Sequence, residues 1–209
     1  MIVKLKPIFW TGTADCVADY FKYNEYLQDI AKKFPLYIIY SGRRDYLDQY
    51  YPNAILESCE NEWHAKAMKV FGLLKSRNDF DILIRFCPDA VIKDVDKLLI
   101  CIKNGMVDEK TALGNKMRFS SGQRGYYLRG GCNATPKFLV HKMVFQSLEK
   151  NYDLWYSMTI KEAGGILKNW PLFEYSNKYT GRFPVWHPQR DKDFNIHIQK
   201  FKKESKARK

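Results

Sequence analysis

The sequence predicts a single α/β domain with a mostly parallel central sheet flanked by helices. Three observations carry this. Strand-length apolar runs alternate with helical patterns over the first hundred residues, the order that lays helices on both faces of a parallel sheet. The run Ile82–Phe86 is almost continuously apolar, as a strand covered on both sides must be. A chain of 209 residues, 45% hydrophobic and 15% aromatic, can also bury a sizeable core.

Taken in order, Ile8–Trp10 reads as a first strand, with Thr11–Gly12–Thr13 as its turn. Residues 17–33 place Val17, Tyr20, Phe21, Tyr26, Leu27 and Ile30 on one helical face. Pro35 punctuates, and Leu36–Tyr40 is a second buried strand ending in Ser41–Gly42. From Glu62 a helix begins, with Trp63, Ala67, Val70, Phe71 and Leu74 at helical spacing. Asn78–Asp79 breaks it, the strand Ile82–Phe86 follows, and Pro88 ends that strand. The second half is less regular. Tyr126–Leu128 reads as a strand running into Arg129–Gly130–Gly131, and Pro136 opens a helix over 136–148. Asp153–Ala163 is a further helix stopped by Gly164–Gly165, and Asn195–Gln199 alternates like a last strand. The domain is read as 1–199, with 200–209 as a basic tail or linker.

Thirty-five basic against 23 acidic residues give a net charge of +12. Part of the excess is the tail, where Lys200, Lys202, Lys203, Lys206, Arg208 and Lys209 face Glu204 alone. A basic body suits phosphate-bearing ligands, nucleic acid or anionic membranes, and charge does not choose among them. The five cysteines are widely spaced and form no CxxC, which argues against a disulfide framework or zinc knuckle and for a reducing, cytoplasmic setting. No segment reaches the ~18 uninterrupted apolar residues of a membrane span. The chain can still be part of a longer multidomain protein.

In open α/β sheets ligands gather at the carboxyl ends of the strands. Three polar clusters fall there: Thr11–Gly12, Ser41–Gly42–Arg43–Arg44, and Cys87–Pro88–Asp89. Each glycine alone is equally well a tight turn. Asp79–Phe80–Asp81 has the DxD spacing that holds a hard divalent ion, but it precedes its strand and reads better as a turn. Asp89 follows the strand and is the preferred metal ligand, although Cys87 stands where a partner carboxylate is wanted. Arg85, inside the apolar strand, serves a phosphate or pairs with Asp79 or Asp81. Lys66 is an ordinary solvated helix lysine or a phosphate ligand. Asp153 is a helix N-cap or a site residue. His187, between Trp186 and Pro188, lines a pocket or caps a loop.

The stretch from Glu62 to Leu98, EWHAKAMKVFGLLKSRNDFDILIRFCPDAVIKDVDKL, resembles the central segment of GT-A-fold glycosyltransferases, especially the β-1,3-galactosyltransferase-like group. The resemblance places Lys66 at the family's motif lysine, Asp81 at the aspartate opening the strand and Asp89 at the last metal-site aspartate. YLRGGCNATPKFLVHKM is similar to the family's glycine-rich segment bordering the acceptor. In KNYDLWYSMTIKEAGG the distance back from Gly164 puts Asp153 at the catalytic base, with Tyr152 in place of the usual glutamate. FNIHIQKFKK resembles the ending of glycogenin-like enzymes, which implies His197 as a metal ligand and Lys200 or Lys202 at the diphosphate. As a whole the chain is similar to glycosyltransferase domains of large chlorella-virus proteins of capsid-glycan synthesis.

The resemblance implies a metal-dependent enzyme moving a hexose or deoxyhexose from a UDP-sugar to a glycan or glycoprotein acceptor. Asp89 and His197 would hold Mn2+ or Mg2+, Lys66 and Lys200 would meet the diphosphate, and Thr11, Gly12, Arg43 and Arg44 would lie by the nucleoside. Asp153 would be the base. A viral source would place it in host cytoplasm. Cys-Pro-Asp in place of Asp-x-Asp departs from the family and allows a second reading, a sugar-nucleotide binder of impaired activity. A basic nucleic-acid-binding module is the rival from another class, but the aromatics fall on core positions, so no nucleic-acid partner is expected.

Overall fold

The strands β1 (Pro7–Thr13), β2 (Leu36–Tyr40), β3 (Ile55–Ser58) and β4 (Ile82–Phe86) lie parallel in the computed structural model. It describes residues 5–13, 21–22, 24–60, 63–118, 126–144, 152–176, 180 and 182–188. β7 (Tyr126–Pro136) pairs antiparallel with β4 on one side and with β6 (Thr111–Arg118) on the other, and β8 (Ile166–Asn169) runs parallel to β6. The seven-stranded sheet has the order β3-β2-β1-β4-β7-β6-β8. A second sheet, β5-β10-β9, joins Val91–Ile92, Val185–Pro188 and Phe173–Ser176.

Period-two alternation splits the central strands between two cores. Phe9, Ile38, Ile82, Ile84 and Phe86 face α1 (Glu25–Lys33), α4 (Val95–Gly105) and the small sheet, with Leu27, Ile30, Leu98, Ile102 and Trp186 buried there. Trp10, Tyr37, Ile39 and Leu83 face α3 (Trp63–Leu74), α5 (Lys137–Lys142) and α6 (Tyr152–Glu162), against Val70, Phe71, Leu139, Trp155 and Tyr156. The short α2 (Asp45–Tyr50) follows β2. Covering both faces explains why β2 and β4 read as unbroken apolar runs.

Local chemistry sets the ends. Asn24 caps α1 by accepting from the Leu27 N–H at 3.1 Å, and Asp94 caps α4 by accepting from the Lys97 N–H at 2.8 Å. α6 stops where Gly164 takes φ +81°, with Gly165 N–H donating to Ile160 O and Gly164 N–H to Lys161 O. That is the paired bonding of a Schellman cap, which needs glycine at the left-handed position.

The structure corrects several expectations. Thr11–Gly12–Thr13 continues β1 and is not its turn, because β2 pairs with it as far as Tyr40. β7 does not stop at Leu128; Gly130 and Gly131 lie inside it, and it ends at Pro136, which precedes α5. The first helix is described from Glu25, and residues 17–20, 145–148 and 195–199 lie outside the described residues. Among the described residues no helix is long and apolar enough to cross a membrane.

Candidate functional site

The site begins with a turn. After β4, Ala90 N–H donates to Cys87 O at 3.0 Å, closing Cys87–Pro88–Asp89–Ala90 as a four-residue turn with proline at its second position. Cys87 N–H reaches Gly131 O at 3.3 Å, and Asn24 Nδ2 donates to Ala90 O at 3.3 Å, so β7 and the α1 cap hold the turn from both sides. β5 then pairs antiparallel with β10 in the register Ile92–Val185 and Val91–Trp186. One residue further along β10 brings His187 to the turn. His187 Nε2 lies 3.4 Å from Asp89 Oδ1, with Asp89 fully buried and His187 nearly so.

Cys87 completes a cluster. A donor atom from each of Cys87, Asp89 and His187 lies within 4.8 Å of the others. Bond lengths of about 2.0–2.3 Å to a tetrahedral ion put neighbouring ligand atoms about 3.3–3.6 Å apart. The Asp89–His187 spacing has that value already, and the Cys87 thiol lies close enough to join them around a divalent ion. Asp89 follows β4 at the carboxyl end of the strand. His187, read from the sequence as a pocket or loop residue, is the histidine beside it, while His197 lies outside the described residues. The two-residue β5, which follows the 87–90 turn and pairs with β10, has no sequence signature.

A cavity of about 330 Å³ adjoins the cluster and shares Cys87 with it, its other walls being Trp63, Arg85, Pro88, Gly130, Tyr152 and Asp153. Arg85 lies in β4 and is 4% exposed. Its Nη2 donates to Asp153 Oδ1 at 3.1 Å, and its guanidinium stacks 4.3 Å from the Tyr152 ring centre. Nε and Nη1 are buried and make no hydrogen bond. Burial disfavours its charge, but Tyr152 and Asp153 outweigh this and leave its pKa above the ordinary arginine value. Burial likewise pushes the Tyr152 phenol up. Arg85 therefore pairs with Asp153 and not with Asp79 or Asp81.

Asp153 sits in the first turn of α6, and its Oδ2 accepts the Gly130 N–H at 2.8 Å. A Cβ on Gly130 would lie 2.6 Å from Asp153 Oδ1 and 3.0 Å from Arg85 Nη2. On Gly131 it would lie 2.4 Å from the Phe173 ring. The glycine pair is what lets α6 and the small sheet close on β7.

Lys66 is not a solvated helix residue. It is 2% exposed and donates from Nζ to Ser41 Oγ at 3.2 Å, bringing its charge to the end of β2. Its stem crosses β1 where a Cβ on Gly12 would meet Lys66 Cδ at 2.9 Å and the Trp63 ring at 2.6 Å. Gly12 therefore acts through α3, by admitting these two side chains. Thr11 is fully buried within β1. Arg43 and Arg44 are exposed beyond β2, and Arg44 is bound to Asp48 at 3.0 Å. Lys200 lies outside the described residues.

The DxD candidate is at the other end of the sheet. Asp79 accepts from Arg77 Nε at 2.9 Å and Nη2 at 2.5 Å, while Asp81 accepts the Lys6 N–H at 2.9 Å. A hollow of about 280 Å³ near Asp79 is lined mostly by Leu5, Pro7, Ile8, Phe34 and Pro35. Its apolar walls and the commitment of Asp79 to Arg77 make it a poor place for an ion.

No protein-family model matches the chain, and no curated protein sequence does. Solved structures are similar in fold. The mannosyltransferase PcManGT from Pyrobaculum calidifontis, in complex with GDP-Man and Mn2+, has a TM-score of 0.57 at 15% identity. That match covers 81% of this chain and 56% of the other, so the chain spans little more than half that protein's length. The galactosyltransferase LgtC, in complex with donor and acceptor sugar analogues, has a TM-score of 0.57 at 12% identity and is covered to 95%, as is this chain. The inositol-1-phosphate CTP transferase from T. maritima has a TM-score of 0.53 at 11% identity, with 95% and 96% covered. The architecture is GT-A-like, a fold that these glycosyl- and nucleotidyltransferases share.

Proposed function

We propose that the chain is a metal-dependent glycosyltransferase, moving a hexose or deoxyhexose from a UDP-sugar to a glycan or glycoprotein acceptor. The observation that carries this is the junction at Cys87, where a Cys–Asp–His cluster with buried Asp89 and His187 opens onto a cavity walled by Trp63, Arg85 and Asp153. The glycosyltransferases of like fold, one in complex with GDP-Man and Mn2+ and one with donor and acceptor sugar analogues, support it. The UDP donor and a role in viral glycoprotein synthesis rest on the sequence resemblance.

In this reading Asp89 and His187, with Cys87, hold a divalent ion, for which the resemblance implies Mn2+ or Mg2+, and His197 remains an additional candidate. The bound ion supplies charge neutralisation on the departing diphosphate. Lys66, fixed against Ser41, adds a positive charge at the strand ends. Trp63 offers a ring face to a sugar or base. Arg85 and the Gly130 N–H orient the Asp153 carboxylate into the cavity. If the reaction inverts, Asp153 takes the proton of the acceptor hydroxyl as its oxygen bonds the anomeric carbon and the bond from that carbon to the diphosphate oxygen breaks. If it retains, Asp153 positions the acceptor. Arg43, Arg44 and Lys200 are candidates for nucleoside and diphosphate contacts.

Thermal-shift measurements with UDP, GDP, CMP and CTP, each with and without Mn2+, test this. Stabilisation by UDP that requires the ion is expected. No metal-dependent response to any nucleotide would remove the proposal. A response confined to CTP and CMP favours the second reading, nucleotidyl transfer, which the CTP-transferase likeness supports. UDP binding without donor hydrolysis or transfer marks an impaired sugar-nucleotide binder.

A further inference from the structure

We infer that the Cys87–Asp89–His187 cluster selects a thiophilic divalent ion of the Zn2+ or Co2+ type over Mg2+, with Cys87 bound as thiolate. This rests on the reading that the cluster holds a divalent ion. The donor set is one sulfur, one oxygen and one nitrogen. Thiolate and imidazole suit zinc and its neighbours, whereas magnesium takes oxygen ligands in near-octahedral geometry and keeps several waters.

The surroundings agree with the donors. Asp89 is fully buried and His187 nearly so, which leaves little room for the hydration shell magnesium retains. The backbone segments that carry the three residues are also held in place by the surrounding structure. The turn, closed by Ala90 N–H to Cys87 O and tied to Asn24 through Ala90 O, holds the Asp89 backbone, β5–β10 pairing holds the β10 backbone beside His187, and Cys87 Sγ donates to Gly130 O at 3.0 Å. Binding exchanges that S–H bond for a sulfur–metal bond and releases the thiol proton to the buffer. Three protein donors leave a further position for a ligand oxygen, the pattern of zinc sites that remain open. Cys132 shows the contrast: fully buried in β7, its thiol pKa is pushed far up by burial, and it has the character of a packing residue.

The test is titration of the metal-free full chain with Co2+ alone. Visible d–d bands and a near-ultraviolet thiolate-to-cobalt charge-transfer band are expected together. Zn2+ should displace the cobalt and Mg2+ should not. Cys87→Ser should lose the charge-transfer band, and Cys87→Asp should shift relative affinity toward Mg2+ and Mn2+ by about tenfold or more. Should a variant fail to fold, wild-type chain gives the same answer: Zn2+ should protect the Cys87 peptide from iodoacetamide. Cobalt bound without the charge-transfer band, or Cys87 alkylated equally fast with and without Zn2+, overturns the inference and leaves the glycosyltransferase proposal standing. If none of Co2+, Zn2+, Mn2+ or Mg2+ binds, even with UDP, both fall.

Discussion

Arg85 donates to Asp153 at 3.1 Å, tying the central strand β4 to the first turn of α6. The arginine side chain is 4% exposed and the carboxylate 25%, so the two partners are not equivalent. Asp153→Ala strands a buried guanidinium and should cost about 3 kcal/mol. Arg85→Met leaves a carboxylate that reaches solvent and should cost less. Urea denaturation of both variants and of the double substitution measures this, and the double should lose less than the two singles together.

Gly130→Ala places a methyl group against the same pair. With Asp153 Oδ1 2.6 Å from the new carbon, α6 must give way, and a loss of about 1–3 kcal/mol is expected. Donor turnover should fall further than stability does, because the new methyl group pushes the carboxylate off the residue-130 N–H. Comparing denaturation with a hydrolysis assay separates the two effects.

Lys66→Met keeps a stem across Gly12 and removes the charge. Folding stability should change little, while UDP should bind roughly ten- to a hundredfold more weakly, the range for losing a hydrogen bond to a charged group. Isothermal titration with UDP and Mn2+ checks it.

Asp89→Ala should abolish metal-dependent stabilisation by UDP, and Asp79→Ala should leave it intact. The reverse pattern would move the metal site to the other end of the sheet. Thermal shift with and without Mn2+ decides.

The hydrogen bonds from Arg77 hold the Asp79 carboxyl at about 2, below its ordinary 3.8. A folded value below the unfolded one means the pair stabilises fully above the ordinary value and loses its contribution as pH falls from about 4 toward 2. Asp79 is 63% exposed, so solvent and salt keep the effect small. Asp79→Asn should flatten the stability profile over that interval, as read from urea midpoints across it.

What the sequence revealed follows from where each segment is buried. Leu36–Tyr40 and Ile82–Phe86 read correctly to the residue because both faces of each are covered. β7 was cut short at its glycine pair, since glycine normally ends strands and only tertiary contact shows Asp153 and Phe173 filling the space. β6, with the sequence TALGNKMR, carries no strand propensity and is held by its two neighbours. Asp89 was legible from its place after a strand. The burial of Lys66 beside Trp63 and Ser41 leaves no local mark in the helical pattern. His187 depends on pairing across the small sheet, which no spacing rule encodes.

That pairing has a consequence for biosynthesis. The parallel strands and Asp89 leave the ribosome well before residue 185, yet the imidazole that faces Asp89 comes with β10. A nascent or truncated polypeptide would carry most of the scaffold but lack the third donor. If the cluster holds an ion as proposed, its capture is deferred until almost all of the described chain has been translated.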